Sequence, residues 1–267
     1  MTTLTLDPET PDFDPSGPVR AYDRREAPLA LSGLTIVLPC FNEADNVAQA
    51  VRAATAAAGR CALAHEIVVV DDGSSDDTAA IAAELADADP RVRLIVHADN
   101  RGYGAAVRSG IAAATMPWLF LTDADLQFDL AEIESFLSAS LHADLIVGVR
   151  VDRQDPWHRR LNAAAWNVLV RTMFHLPASD VDCAFKLLRT EFAQDAALTS
   201  SGAMVSTELL VRCLGAGARF HEQPVHHHPR IAGHSTGANP GVIVRAFREL
   251  FGLRSTLHGA VPRSIGA

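Results

Sequence analysis

The sequence has 267 residues, 48% hydrophobic and 21% charged, a make-up that supports a full buried core. Its formal net charge of -9 excludes broad nucleic-acid binding, which needs a basic surface to neutralise phosphates. Cys40, Cys61, Cys183 and Cys213 form no C-x-x-C pair, which argues against zinc knuckles and dithiol redox motifs and fits reduced thiols in a cytoplasmic protein.

Residues 1–32 carry Pro8, Pro11, Pro15, Pro18 and Pro28 among acidic and small residues and read as a flexible tail, too poor in apolar surface to offset the entropy of ordering. From Leu34 a regular alternation begins. The apolar run LTIVL precedes an alanine-rich helical stretch from Glu43 to Ala58, and IVVV at 67–70 is a second buried strand. A helix near 76–88, the strand VRLIV at 92–96, a helix from Tyr103, the strand WLFL at 118–121, a helix near 129–141 and the strand DLIVGV at 144–149 follow. Short apolar runs separated by helices are βαβ units, so the spacing predicts an α/β fold, a doubly wound, mostly parallel, Rossmann-like sheet with helices on both faces. One domain over 33–256 is expected, with 33–150 as its regular half, 151–256 as a mixed half and 257–267 as a C-terminal tail.

After Arg150 come an amphipathic stretch from Trp157 to His175, the histidine-rich strand ARFHEQPVHHH, and a helical segment at 242–254. That last segment reads either as a core-packing helix or as one lying on a membrane surface. No apolar run approaches the roughly 18–20 residues that cross a bilayer, and no basic-then-apolar signal pattern opens the chain.

Ligands of open α/β sheets sit at the carboxyl ends of the strands, and there this sequence concentrates acidic and small residues. P-C-F-N-E (Pro39 to Glu43), D-D-G-S-S-D-D-T (Asp71 to Thr78) and D-A-D (Asp123 to Asp125) each follow a strand. Asp123 and Asp125, two apart in extended chain, point to the same side, where two carboxylates repel unless a cation joins them. Mg²⁺ or Mn²⁺ suits such a pair, because these ions take one or two protein carboxylates and complete their shell with phosphate oxygens and water. Asp71 to Ser74 suit a turn leading to a helix cap, while a strand-end aspartate such as Asp72 can also accept a hydrogen bond from a base N–H. In N-R-G-Y-G-A-A, Gly102 and Gly104 mark a close backbone approach, either to a nucleotide or to a neighbouring strand. The triplet His226, His227 and His228 has poor zinc spacing, since at most two of its side chains share a face.

As an ordered set, these segments together with D-C-A-F-K and P-R-I-A-G-H-S-T-G resemble family 2 of the inverting glycosyltransferases, in its dolichol-phosphate mannose synthase-like branch. The resemblance covers about residues 34–254. It implies a GT-A type fold with a C-terminal acceptor region and transfer of a hexose from a nucleotide sugar, of the GDP-mannose or UDP-glucose type. The implied nucleotide pocket comprises Pro39, Asn42, Glu43, Asp72, Gly102 and Asp123, and the metal site Asp123, Asp125 and Gln127. The implied acceptor is a polyprenyl or dolichyl phosphate, with Arg150, Arg159, Arg160, Lys186, His228, Arg230 and Ser235 as its contacts. A phosphate oxygen is largely ionised at neutral pH and needs positioning more than deprotonation. Asp125, Arg150, Arg230 and Asp182 are the candidate catalytic residues; for a soluble hydroxyl acceptor, Asp182 or Glu208 would be the base. A lipid acceptor would be met from the membrane surface, by a peripheral enzyme, a homodimer or a subunit of a membrane complex. A non-catalytic nucleotide-sugar-binding subunit is the alternative.

Overall fold

The computed structural model describes residues 30–151, 157–229 and 240–257, excepting the side chains of 157–163, 240–247 and 257. The predicted tail over 1–29 and the residues after Leu257 lie outside the described residues. Leu31, also assigned to the tail, is instead buried and bridges Ala62 through backbone hydrogen bonds to Cys61 and from Leu63. An apolar side chain three residues before a strand has a core within reach.

β1 (Leu34–Cys40), β2 (His65–Asp71), β3 (Val92–Val96), β4 (Trp118–Leu121), β5 (Leu145–Val151), β6 (Lys186–Arg189) and β7 (Phe220–His226) form one sheet, in the order β3-β2-β1-β4-β6-β5-β7. All pairings are parallel except those of β6, which runs antiparallel to both β4 and β5. The sequence reading did not foresee β6, whose four residues KLLR lack the length and flanking rhythm of a βαβ strand.

Alternation along the central strands feeds two cores. Ile36, Leu38, Ile67 and Val69 face α1 (Val47–Cys61), while Val37, Val68, Val70 and Leu119 face the layer that includes α3 (Tyr103–Ala113). α1 buries Val47, Ala50, Val51, Ala54, Ala58 and Cys61, one stripe at helical spacing whose small side chains let the helix lie close to the sheet. α2 (Thr78–Ala88) follows β2, and α4 (Trp157–Phe174), α5 (Thr190–Asp195), α6 (Val205–Gly215) and α7 (Pro240–Leu257) complete the set. The stretch expected as a helix near 129–141 is two 3-10 segments, Leu130–Phe136 and Ala139–Leu141, that bury Ile133 and Phe136. Of α7, Leu250 and Leu253 enter the second core and Arg254 donates to the Met173 carbonyl, while Phe251 stays 60% exposed.

Candidate active site

The loops after β1 and β2 are sewn together. Asn42, held at φ +55, accepts from the Ser75 N–H and hydroxyl, and its own N–H donates to Ser74 Oγ at 2.9 Å. The Glu43 N–H donates to Thr78 Oγ1 and the Ala44 N–H to Asp76. Ser74 to Thr78 therefore serve as clamp as well as turn. Glu43 accepts from the Asn46 amide, and Pro39 is half-buried at the end of β1.

Adjacent aspartates at the end of β2 have different work. Asp72 is buried and saturated: Oδ1 accepts from His97 Nδ1 at 2.6 Å and from the Arg101 N–H at 3.0 Å, and Oδ2 accepts from the Gly102 N–H at 2.7 Å. Asp71 is equally buried, but only its Oδ2 is engaged, by the Ser74 N–H, and its Oδ1 has no partner. A buried acceptor left bare is costly unless a ligand completes it. The residue with spare accepting capacity here is thus Asp71, which sequence reasoning passed over because one carboxylate in a D-D pair looks like the other.

Just beyond β4, Asp125 is 7% exposed and accepts from the Gln127 N–H, while Asp123 Oδ1 is a second bare buried oxygen. Burial, reinforced by the Asp125 charge, pushes the Asp123 carboxyl up to about 6, against the counter-pull of the Tyr103 hydroxyl, Lys186 and Arg150. Cys40 reports the same field: burial and then Glu43, Asp71, Asp123 and Asp76 all push its thiol up. This corner collects negative charge. Among the described residues no three His, Cys, Asp or Glu side chains converge on one point. Two carboxylates with open positions suit a hard ion that shares its shell with a diphosphate and water, so the donor set fits Mg²⁺ or Mn²⁺. Gln127, expected at the metal, is tied to the segment just after β7: its Nε2 donates to the His228 carbonyl and its backbone carbonyl accepts from the His228 N–H.

Gly102 and Gly104 do mark a close approach, but to a third element. A Cβ on Gly102 would stand 2.5 Å from Ser201 O, one on Gly104 2.5 Å from Ser200 O, and the Gly104 N–H donates to Ser201 O. Glu208, at the base of that 199–202 loop, is wholly buried and accepts from the N–H groups of Thr199 and Ser200, the Thr199 hydroxyl and Arg212. Burial works against its charge, but these donors, led by the Ser200 N–H, hold its carboxyl below the usual range.

The expected acceptor cations have other partners. Arg150 forms a two-pronged ion pair with Asp180, Nε to Oδ2 and Nη2 to Oδ1 both at 2.7 Å. Lys186 is 1% exposed, and its ammonium donates to the Val181 and Cys183 carbonyls; burial lowers its pKa. This central-strand lysine, expected at the acceptor phosphate, is satisfied by the D-C-A-F-K turn. Asp182, half-buried in that turn, adds to the field at Arg150 and Lys186. His228 is exposed, His226 pairs with Glu132 and His227 stands edge-on to Phe128. Arg230 and Ser235 lie outside the described residues, as do the side chains of Arg159 and Arg160.

The chain belongs to glycosyl transferase family 2, whose model matches residues 35–196. An uncharacterized glycosyltransferase of Mycobacterium tuberculosis (strain ATCC 25618 / H37Rv) is 32% identical over 222 residues, 81% of this chain and 95% of that protein. An undecaprenyl-phosphate 4-deoxy-4-formamido-L-arabinose transferase of Enterobacter sp. (strain 638) is 30% identical over 209 residues, 77% of this chain but 63% of that longer protein. Among solved structures, glucosyl-3-phosphoglycerate synthase from Mycobacterium tuberculosis in complex with uridine diphosphate has the same fold at a TM-score of 0.65 and 15% identity, over 87% of this chain and 82% of that one. The fold is of the GT-A type and the protein is a glycosyltransferase.

Proposed function

We propose that this enzyme transfers a hexose from a nucleoside diphosphate sugar, of the UDP-glucose or GDP-mannose type, to the phosphate of a polyprenyl phosphate, with inversion. The observation that carries the reading is the corner at the end of β4, where Asp123 presents a bare buried oxygen beside Asp125. Asp123 and Asp125 would hold Mg²⁺ or Mn²⁺, which when bound neutralises the charge that develops on the departing diphosphate. Asp71, with its unpartnered Oδ1, is the acceptor for a base N–H, and Asn42 and Glu43 shape the adjoining wall. The exposed ring of Phe41 supplies an apolar surface at the same strand ends.

For the acceptor, two kinds of similar proteins support a molecule that carries a phosphate, and one of them a lipid phosphate. The aminoarabinose transferases are named for undecaprenyl phosphate, and the fold neighbours were solved with phosphoglyceric acid. No helix among the described residues is long and apolar enough to cross a membrane. A lipid acceptor is accordingly met at the surface, where the exposed Val168 and Leu169 of α4 and Phe251 of α7 provide apolar contact. The test is to incubate the full chain with radiolabelled UDP-glucose or GDP-mannose, Mn²⁺, and either a short polyprenyl phosphate or 3-phosphoglycerate. Transfer to the lipid that Asp125→Ala abolishes supports the reading. Transfer only to phosphoglycerate replaces the acceptor, and no transfer or donor hydrolysis with a wider donor panel sinks the proposal.

A further inference from the structure

His97, at the exit of β3, is unexplained by donor binding or by transfer. Its ring is 5% exposed, too enclosed to meet a substrate, yet both ring nitrogens are engaged. A carboxylate cannot donate, so Nδ1 carries the hydrogen and gives it to Asp72 Oδ1 at 2.6 Å; in that tautomer Nε2 accepts from the Ser109 hydroxyl at 2.8 Å. The same residue types in line form hydrolytic triads elsewhere. Here the burial of the ring confines the histidine to acting through its neighbours.

Asp72 in turn accepts from the N–H groups of Arg101 and Gly102, the two residues that deliver the chain into α3. The next residue, Tyr103, lines a small cavity with Leu121, Ala184 and Lys186, and Leu121 closes the strand that presents Asp123. Tyr103 and Leu121 thus meet two residues before Asp123. A continuous path therefore runs from Ser109 through His97 and Asp72 to the first turn of α3 and on to the acidic corner.

We propose that His97 is a positioning residue for the donor site: its Nδ1–H fixes the Asp72 carboxylate, which anchors Arg101 and Gly102 and so seats Tyr103 against the end of the strand that leads to Asp123. The inference rests on the reading of Asp123 and Asp125 as the cation's carboxylates. Without the donated hydrogen bond, Asp72 keeps its charge but loses its fixed direction, and the start of α3 loses the anchor that holds the phenol in place.

The experiment measures the Mn²⁺-dependent affinity of the full chain for UDP and for GDP by calorimetry, with thermal unfolding of each variant alongside. His97→Leu is expected to weaken the diphosphate by roughly 10-fold or more. His97→Asn, whose side-chain N–H can replace Nδ1–H, is expected to stay within about 3-fold of wild type, as is Ser109→Ala. A purely structural histidine would lower the unfolding temperature in His97→Leu and His97→Asn alike without this split in affinity. A folded His97→Leu that binds like wild type, or a His97→Asn as weak as His97→Leu, overturns the proposal. If His97→Leu does not fold, Tyr103→Phe decides: the loss of one hydroxyl should weaken Mn²⁺-dependent binding by about 5-fold, and unchanged binding overturns the proposal. A wild-type chain that binds neither diphosphate with Mn²⁺ removes the donor-site reading itself, and this inference with it.

Discussion

The two halves of the sheet handle their charges in opposite ways. In the half proposed to bind the donor, the ends of β2 and β4 hold bare carboxylate oxygens on Asp71 and Asp123, with Asp125 and Glu43 close by. In the half proposed to bind the acceptor, Arg150 is matched by Asp180, Lys186 by two carbonyls and Glu208 by backbone N–H groups and Arg212. Uncompensated buried charge is destabilising and persists where a ligand completes it, whereas compensated charge fixes a shape. The difference separates the surface that waits for a ligand from the framework that holds it.

Removing the uncompensated charge should have the largest effect and the clearest signature. Asp123→Asn is expected to cut transfer by about 100-fold or more, since an ion-binding carboxylate stabilises charge at the reacting centre. It should also stabilise the metal-free protein. A carboxyl raised to about 6 in the folded chain holds its proton more tightly there than when unfolded, so stability falls as pH climbs from about 4 to about 6. The shift corresponds to at most about 3 kcal/mol, which the asparagine recovers at pH 7.5. Denaturant unfolding without metal at pH 4.5 and 7.5 checks both the sign and the window.

Arg150 sharpens the comparison from the other side. If its role is to complete Asp180, Arg150→Ala leaves a buried carboxylate alone and should cost about 3 kcal/mol of stability. If it served chiefly as a phosphate contact, the variant would unfold like wild type and lose only acceptor affinity. Unfolding curves for Arg150→Ala and Asp180→Asn, read beside the acceptor KM, separate the two.

The donor half was legible in the sequence because its signals are local. β1 to β4 are apolar runs, with acidic segments at the ends of β1, β2 and β4, so the sheet and the Asp123–Asp125 corner follow from adjacency. What escaped notice depends on distant partners. Nothing near Lys186 indicates that it lies in a central antiparallel strand, and nothing near Gly104 indicates that its neighbour is Ser200, almost a hundred positions away. Asp71 and Asp72 could not be ranked because the partners that saturate one of them, His97, Arg101 and Gly102, come from another strand end. The resemblance to family 2 brought the acceptor cations in as a set, and only the packing around them distinguishes a phosphate contact from a strut.

Glu208 tests the framework with a smaller effect. Glu208→Gln keeps the shape but offers an amide N–H₂ where Thr199 and Ser200 present donors, and about 2 kcal/mol should be lost at pH 7. A carboxyl held below its usual range contributes stability above the unfolded pKa and loses it as pH falls through the folded one. The gap between wild type and variant should therefore be widest at neutral pH and close on acidification below about 4.

The smallest expected effect on the fold is at α7. Leu250 and Leu253 are already buried, so exchanging the exposed Phe251 for serine removes little packing and should change stability by no more than about 0.5 kcal/mol. Binding of Mn²⁺ and nucleoside diphosphate should be untouched, since the Phe251 ring is exposed and belongs to neither core, whereas α7 meets the 199–202 loop through Glu249. Under the proposed lipid acceptor its contribution would be to a surface, where an exposed ring with Arg248 and Arg254 on the same helix would suit the headgroup region of an anionic bilayer. Phe251→Ser should therefore reduce sedimentation with phosphatidylglycerol vesicles several-fold while leaving transfer to a water-soluble, short-chain acceptor intact. Equal sedimentation of variant and wild type would detach the terminal helix from the acceptor's membrane and leave it a packing element alone.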